Sequence, residues 1–170
     1  MIAPGAEPLP DGVPAGAIPV SIEPLNAADD EAAAAVLASC TREGTLAAGR
    51  ALVARVRSDP DAELYALAFE GQVLFAYVLR QASMSMELTH IAVAPSLRRQ
   101  GLGRATLADA IRRAGARPLV AEVDEAALPF FKACGFKLFG KRKAPDGTTR
   151  YRLGAHAPRP RPVSTSKEGA

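Results

Sequence analysis

The sequence predicts an α/β (α+β) domain that contains a mixed sheet of about six to seven strands with helices packed on it. Three observations support this prediction. The 170 residues are enough for one domain. The composition, with 48% hydrophobic and 23% charged residues, is usual for a globular protein. Strand-like and helix-like patterns also alternate along the chain and are separated by turn residues.

The domain is expected to cover residues 17–154, between two tails. Residues 1–16 are rich in Pro, Gly and Ala, and residues 155–170 combine these residue types with Ser, Thr and basic side chains. Neither segment has enough apolar surface to offset the entropy that ordering costs. We therefore expect both tails to be disordered.

The first part of the domain is predicted to run from a strand through two helices to three strands. An apolar strand covers 18–22, and Asn26 or Asp29 caps a helix that continues through 31–40. A second helix covers 46–57. The three strands that follow, of which the first two form an antiparallel hairpin, cover 64–69, 73–80 and 86–94.

The second part of the domain is predicted to alternate helices with strands and to end in a hairpin. Apolar side chains within 102–114 repeat at intervals of three and four, which predicts an amphipathic helix. A strand at 118–123 and a helix at 125–134 follow, and the glycine after that helix is expected to end it. The closing hairpin has two strands, 136–143 and 148–153.

Composition excludes several classes of protein. The cysteines Cys40 and Cys134 allow at most one disulfide, so a reducing cytosol is the simpler expectation. The segment 1–20 contains no Lys or Arg and is interrupted by prolines, unlike a secretory signal peptide. No uncharged apolar run of about 18 residues occurs, and a net charge of +3 is too small to indicate nucleic-acid binding. We therefore expect a soluble cytoplasmic protein with neither a nucleic-acid nor a membrane partner.

The most informative segment is 90–104, where a predicted strand enters a loop of two arginines and two glycines that opens a helix. Glycines let the backbone approach a ligand closely, and the first N–H groups of a helix suit a phosphate or pyrophosphate. Six arginines and one aspartate lie between Arg98 and Arg117, so positive charge is expected to concentrate there. The segment therefore predicts an anion site. It lacks the Lys-Ser/Thr ending of a P-loop and the third glycine of a dinucleotide site.

The spacing of Arg98, Gly101 and Gly103 matches the Q/R-x-x-G-x-G/A signature of the GCN5-related N-acetyltransferases, which the sequence resembles from about residue 20 to residue 153. The resemblance implies a mostly antiparallel mixed sheet with helices on both faces. It also implies acetyl-CoA as cosubstrate, without a metal, because loop amides of that family bind the coenzyme pyrophosphate. The loop residues implied at the coenzyme are Arg98, Arg99, Gln100, Gly101, Leu102, Gly103 and Arg104.

A second segment, 124–136, resembles that family's N-x-x-A-x-x-F-Y-x-x-x-G-F pattern. Asp124 stands where Asn is usual, and Phe131 stands where many members place a tyrosine as general acid beside the coenzyme sulfur. Both positions are implied coenzyme contacts, whereas Phe130 is expected to pack in the core. The general acid stays unassigned, although Tyr77, Tyr151 and Cys134 are other proton donors.

The resemblance further implies a β-bulge that separates the strand at 86–93 from the strand at 119–123. Backbone groups exposed by this separation would bind the acetyl carbonyl and the pantetheine, at Ile91, Ala92 and Val93. Fixed backbone donors of this kind stabilise an oxyanion without reorganisation.

Two residues are candidates for the general base. Glu87 matches the catalytic glutamate of the histone-acetyltransferase branch, and partial burial would adapt its carboxylate to accept the ammonium proton through water. His90 is the rival, because imidazole titrates near the working pH. Strand alternation places His90 on the face opposite Glu87, unless the bulge rotates it.

The resulting functional hypothesis is an acetyl-CoA-dependent N-acetyltransferase that acts on the amine of a small molecule or amino compound. The alternative is a non-catalytic acyl-CoA-binding or sensor module of the same fold, and DNA binding through the arginines is a weaker third reading. The acceptor is implied to lie between 27–57 and 140–152, but these segments do not identify it. The basic residues 141–143 are interpreted as a solvated hairpin rather than as a site for an acidic acceptor. A homodimer is left open.

Overall fold

The computed structural model of the protein describes residues 23–24, 29–69 and 71–157. The strand predicted at 18–22, Asn26 and nearly all of the two predicted tails lie outside the described residues. The last strand continues to Ala155, so the domain boundary predicted at residue 154 falls inside a strand.

The described residues form strands and helices in the predicted order. The strands are β1 (Glu23–Pro24), β2 (Ala62–Phe69), β3 (Gln72–Gln81), β4 (Met86–Val93), β5 (Leu119–Val123), β6 (Lys137–Lys143) and β7 (Thr149–Ala155). The α-helices are α1 (Asp30–Leu37), α2 (Leu46–Ser58), α3 (Leu102–Ala114) and α4 (Leu128–Ala133). Short 3-10 turns, Ala38–Cys40 and Pro95–Leu97, follow α1 and β4.

The start of α4 differs from the prediction of a helix over 125–134. Asp124 Oδ1 accepts a hydrogen bond from Ala127 N at 2.9 Å, which holds the intervening residues in a turn. Pro129 lies in the first turn of the helix that follows, where its missing N–H costs nothing. The helix is therefore shorter than the apolar pattern indicates.

All seven strands belong to one sheet, in the order β1-β2-β3-β4-β5-β7-β6. Only β4 and β5 are parallel, and every other neighbouring pair is antiparallel. The predicted fold class, a mixed and mostly antiparallel sheet, is confirmed.

Helices cover both faces of the sheet and create two cores. Residues from α1 and α2, among them Leu37 and Leu52, pack with Val78 on one face, which we call the α1–α2 face. On the other face, Leu107 of α3 packs with Leu88 and other apolar residues of the strands. Each described helix is too short or too polar to span a lipid bilayer.

Candidate functional site

A β-bulge interrupts the pairing of β3 with β4. Val78 of β3 pairs with His90 of β4. The next pair along the two strands is Leu79 with Leu88, so Thr89 faces no residue of β3. The Thr89 hydroxyl donates to the Val78 carbonyl oxygen at 3.5 Å. The structure therefore has a bulge in the strand where the family resemblance implies one.

The bulge turns His90 to the same face of the sheet as Glu87. Val78, opposite His90, packs on the α1–α2 face, whereas Leu88 packs on the other face. Glu87 precedes Leu88, so alternation directs it to the α1–α2 face as well. Alternation alone would place His90 and Glu87 on opposite faces; the bulge adds one residue between them and rotates His90, which is the exception that the sequence analysis allowed.

A gap opens where β4 and β5 separate. Their parallel pairing ends at Leu88 and Ala121, although β4 continues to Val93. Beyond Leu88, the edge of β4 that faces β5 has no strand partner. A gap of this kind presents backbone donors and acceptors to a ligand.

The backbone polar groups of Ile91 and Val93 face this gap. On the other edge of β4, Ala94 N donates to the Leu74 carbonyl oxygen of β3 at 2.8 Å. Successive residues of an antiparallel strand direct their polar groups to opposite edges, so Ile91 and Val93 point away from β3. Ala92, between them, is buried and points its backbone to β3, so its predicted contact with the coenzyme is not through the gap.

Two side chains bind the carbonyl oxygens at the gap. Cys40 Sγ donates to the Ile91 carbonyl oxygen at 3.0 Å, and Arg98 Nε donates to the Val93 carbonyl oxygen at 3.2 Å. These contacts show independently which way the backbone points. They also leave the N–H groups of Ile91 and Val93 directed into the gap.

The loop between β4 and α3 presents further N–H groups. Arg99 has φ 64° and Gly101 has φ 82°, both in the left-handed region. Left-handed residues in a loop curve the backbone, and successive N–H groups can then converge in a nest that binds anions. Helix α3 begins without a side-chain cap, so the N–H groups of its first turn stay available. This geometry supports the predicted anion site at residues 98–104.

The positive charge at this loop is smaller than the sequence indicates. Arg98, Arg99 and Arg104 belong to the loop and the first turn of α3. Arg112 and Arg113, near the other end of α3, both pair with Asp109, Arg113 Nε lying 2.9 Å from its Oδ2. Both arginines neutralise Asp109, and Arg113 also lies over the Tyr65 ring of β2, so neither belongs to the loop. The prediction that the whole cluster is focused on the phosphate is therefore wrong.

The two phenylalanines of α4 occupy different environments. Phe131 is 3% exposed, and its ring lies edge-on to Phe136 at a centroid distance of 5.1 Å. Phe130 is 39% exposed, so its prediction as a core residue is wrong. It covers Gly103, where an added β-carbon would lie 3.1 Å from the ring. Contacts of Phe131 and Asp124 with a coenzyme stay predictions.

A polar cavity of about 300 Å³ adjoins the gap. Its lining includes Leu88 and Thr89, where β4 leaves β5, and the Glu87 side chain, which is one third exposed. Glu87 Oε2 lies 3.7 Å from Arg80, beyond hydrogen-bond distance. The structure therefore brings the predicted base to a cavity beside the predicted oxyanion donors.

Burial makes His90 a weak base. Desolvation, assisted by the positive charge of Arg55, lowers the pKa of His90 from 6.5 to about 4. His90 Nδ1 lies 3.0 Å from the Thr89 hydroxyl. The imidazole is therefore neutral at pH 7, contrary to the expectation that it titrates near the working pH.

Two of the alternative proton donors are unsuited to protonate a coenzyme sulfur. Burial and the hydrogen bond to Asp109 raise the pKa of Tyr77 far above its ordinary value, and its hydroxyl already donates to that carboxylate. Burial also raises the pKa of the Cys134 thiol. The acid stays unassigned.

Sequence reasoning missed two residues of this region. Cys40 contacts the gap only because the turn after α1 is folded against β4, and no local pattern signals that contact. Arg152 lines the cavity beside Glu87 and appeared in the sequence only as the end of a segment implied to surround the acceptor.

Residues 33–152 match the family model of the acetyltransferase (GNAT) domain. The matched segment contains the gap, the cavity and the loop at residues 98–104, which we call the anion loop after its predicted ligand. The chain belongs to the GNAT acetyltransferase family. This membership assigns the protein to the transferases. No curated protein matches the sequence of this GNAT domain.

Solved structures of GNAT proteins share the fold. A GNAT-family protein from Desulfovibrio desulfuricans has 20% identity and a TM-score of 0.69, covering 81% of this chain and 98% of its own. An acetyltransferase from Elizabethkingia anophelis with acetyl-CoA bound has 21% identity and a TM-score of 0.59, covering 81% and 98%. An aminoglycoside 6'-N-acetyltransferase complexed with coenzyme A has 14% identity and a TM-score of 0.67, covering 82% and 99%.

Replacing Gly101 by valine should weaken coenzyme A binding by about tenfold or more, equivalent to roughly 1.4 kcal/mol. A β-branched side chain is strained at φ 82° and would obstruct the nest of N–H groups. Calorimetric titration with coenzyme A measures the loss. Gly147→Val is the matched control, because Gly147 has the same φ of 82° but lies in the β6–β7 turn, outside the loop between β4 and α3. Equal affinities for the two variants would contradict the placement of the anion site.

His90 should make the GNAT domain less stable in acid. The unfolded chain binds a proton at a pKa near 6.5, whereas the folded chain binds it only near 4, so stability is complete above pH 6.5 and falls as the pH drops toward 4. In His90→Asn this decrease should be smaller. Urea unfolding at pH 7 and pH 4.5 measures it, with His156→Asn as the control. The same pH-dependence in the unaltered protein and in both variants would show that folding does not lower the pKa of His90.

Proposed function

We propose that the protein transfers the acetyl group of acetyl-CoA to the amine of a small molecule or amino compound. The observation that carries the proposal is the coincidence of three features at one place. Backbone N–H groups of Ile91 and Val93 face a gap in the sheet, an anion loop follows on the same strand, and Glu87 faces a cavity at that gap.

The coenzyme would be fixed by backbone groups at two points. The nest at Arg99–Gly101 and the first turn of α3 would bind the pyrophosphate. The edge of β4 that lacks a strand partner would bind the pantetheine and the acetyl carbonyl in place of a neighbouring strand. Such preorganised donors are worth more in a desolvated site than in water.

The transfer needs a neutral amine next to the thioester. The amine nitrogen would attack the carbonyl carbon, forming a C–N bond, and the charge on the oxygen would be stabilised by an N–H of β4. Collapse of the tetrahedral species breaks the C–S bond and releases the coenzyme thiolate. The proton lost by the amine passes to the base, and the thiolate takes one from solvent.

Glu87 is the better candidate for the base. Its carboxylate faces the cavity that adjoins the gap and accepts no hydrogen bond from the described residues. His90 has a pKa of about 4, too far below neutral pH for an efficient base. A carboxylate could remove the ammonium proton through one water.

Turnover does not require a general acid at the coenzyme sulfur. A thiol has a pKa of about 8.5, so a thiolate leaves without full protonation. General-acid assistance typically raises the rate about 10²- to 10⁴-fold. A phenylalanine at position 131 in place of the tyrosine is expected to lower the rate by a factor in this range. The alternative, a module that binds acyl-CoA without turnover, is supported by the phenylalanine that stands at position 131 in place of the tyrosine.

The small-amine acceptor is supported by the size of the cavity and by the kind of acceptor named for one structural neighbour, an aminoglycoside. A cytoplasmic location, a homodimer and the exclusion of nucleic acid stay predictions from the sequence.

Glu87→Gln should lower kcat/KM by about 10²-fold or more, because the amide cannot take the ammonium proton. Thiol release from acetyl-CoA over a panel of primary amines measures turnover, and calorimetry should show unchanged coenzyme A affinity. Glu63→Gln is the control, because Glu63 bonds to Tyr65 on β2, away from the gap. Equal activity in Glu87→Gln would exclude Glu87 as the base, whereas coenzyme binding without thiol release for any amine would support the non-catalytic module.

A further inference from the structure

The cavity beside the gap has charged groups at opposite ends. It lies on the α1–α2 face of the sheet, where β4, β5 and β7 run side by side. Its lining residues are Glu87, Leu88, Thr89, Val120, Glu122 and Arg152. The strand pairing joins Glu87 to Val120 across β4 and β5, and Glu122 to Arg152 across β5 and β7.

One of the two carboxylates in the cavity is already neutralised. Glu122 receives two hydrogen bonds from Arg142 of β6, from Nε at 3.0 Å and from the terminal nitrogen at 2.6 Å. Arg80, the cation nearest to Glu87, donates instead to Asp59 at 3.1 Å. Glu87 lies 3.7 Å from Arg80, an ion pair without a hydrogen bond, so its carboxylate oxygens can still accept hydrogen bonds from a ligand.

Arg152 is the cationic group that the cavity leaves available. No carboxylate of the described residues lies within 4.0 Å of its guanidinium, although Glu122 is directly opposite on β5. Its guanidinium lies 5.7 Å from the ring centre of Phe139, which is 59% exposed. The ring supports the guanidinium without satisfying its hydrogen-bond donors.

The separation of Glu87 and Arg152 fits a small ligand. They are two strands and two residues apart, which places their Cα atoms roughly 12 Å from each other. Both residues line the same cavity. A small molecule can touch both ends at once.

We propose that the acceptor carries a carboxylate as well as an amine, as an amino acid does, and that Arg152 binds this carboxylate. The inference rests on the proposed function. The planar guanidinium matches a carboxylate with two parallel hydrogen bonds, which a monoamine cannot supply. With its carboxylate on Arg152, the acceptor turns its amine toward Glu87 and the gap. Arg152 thus selects the acceptor, whereas the transfer itself depends on the groups of β4.

The test compares acids with amides. The common amino acids and their carboxamides are titrated into the protein loaded with coenzyme A, and both sets are also assayed for thiol release with acetyl-CoA. At least one amino acid should bind about tenfold or more tightly than its carboxamide, because the amide lacks the charge that Arg152 pairs with. Arg152→Met should remove this preference, and Arg152→Lys should restore part of it.

The control is Arg150→Met, which removes a neighbouring arginine of β7 that does not line the cavity. It should keep the preference for acids, and coenzyme A affinity should be unchanged in all variants. Equal binding of acids and amides by the unaltered protein, or a preference that survives Arg152→Met, overturns the inference even if amines are acetylated. Selective binding of acids without thiol release for any amine would instead overturn the proposed transfer and keep the assignment of Arg152.

Discussion

The separation of β4 from β5 beyond Leu88 is the constraint on which the site depends. A strand that loses its neighbour leaves backbone groups that must find other partners. Here the carbonyl oxygens of Ile91 and Val93 are bonded by Cys40 and Arg98, while the N–H groups stay directed into the gap. The bulge at Thr89 adds a residue just where the strands part, and bulges increase strand twist. The bulge and these two hydrogen bonds thus stabilise the gap. The cavity lies at one end of the gap and the anion loop at the other.

A buried polar cluster holds the anion loop in position relative to this gap. Asp109 of α3 is 7% exposed and accepts hydrogen bonds from Tyr77 of β3, from Arg112 and from Arg113. The Arg113 guanidinium also lies 4.2 Å above the Tyr65 ring of β2. A buried carboxylate is tolerated only when it is paired, and removing one partner of a buried pair typically costs about 3 to 5 kcal/mol. The cluster therefore fixes α3 to the sheet, and with it the loop that opens the helix.

The order of elements was predictable because hydrophobic periodicity and turn residues are local signals. Helix α3, for example, has the bounds that the spacing of its apolar residues predicts. The loop of residues 98–104 and the helix that it opens were predictable for the same reason, since the glycines and the helix start are adjacent in sequence; the binding of an anion there stays a prediction. The face of His90 was left open, because the family resemblance implies a bulge in this strand but no residue pattern shows at which position it lies. The roles of Arg112 and Arg113 were missed because Asp109, the carboxylate that both arginines bind, is buried against Tyr77 of β3, and that contact is distant in sequence. Long-range contacts, rather than local propensity, decide which charges belong to the site.

Amide hydrogen exchange with and without acetyl-CoA can show whether the gap and the start of α3 hold the coenzyme, because the proposed contacts are made by particular backbone N–H groups. We expect the coenzyme to slow exchange at Ile91 and Val93 in β4 and at Leu102 and Gly103 in the first turn of α3, while exchange in β2 stays unchanged. Coenzyme binding that protects neither the gap nor the start of α3 would show that these N–H groups do not hold it.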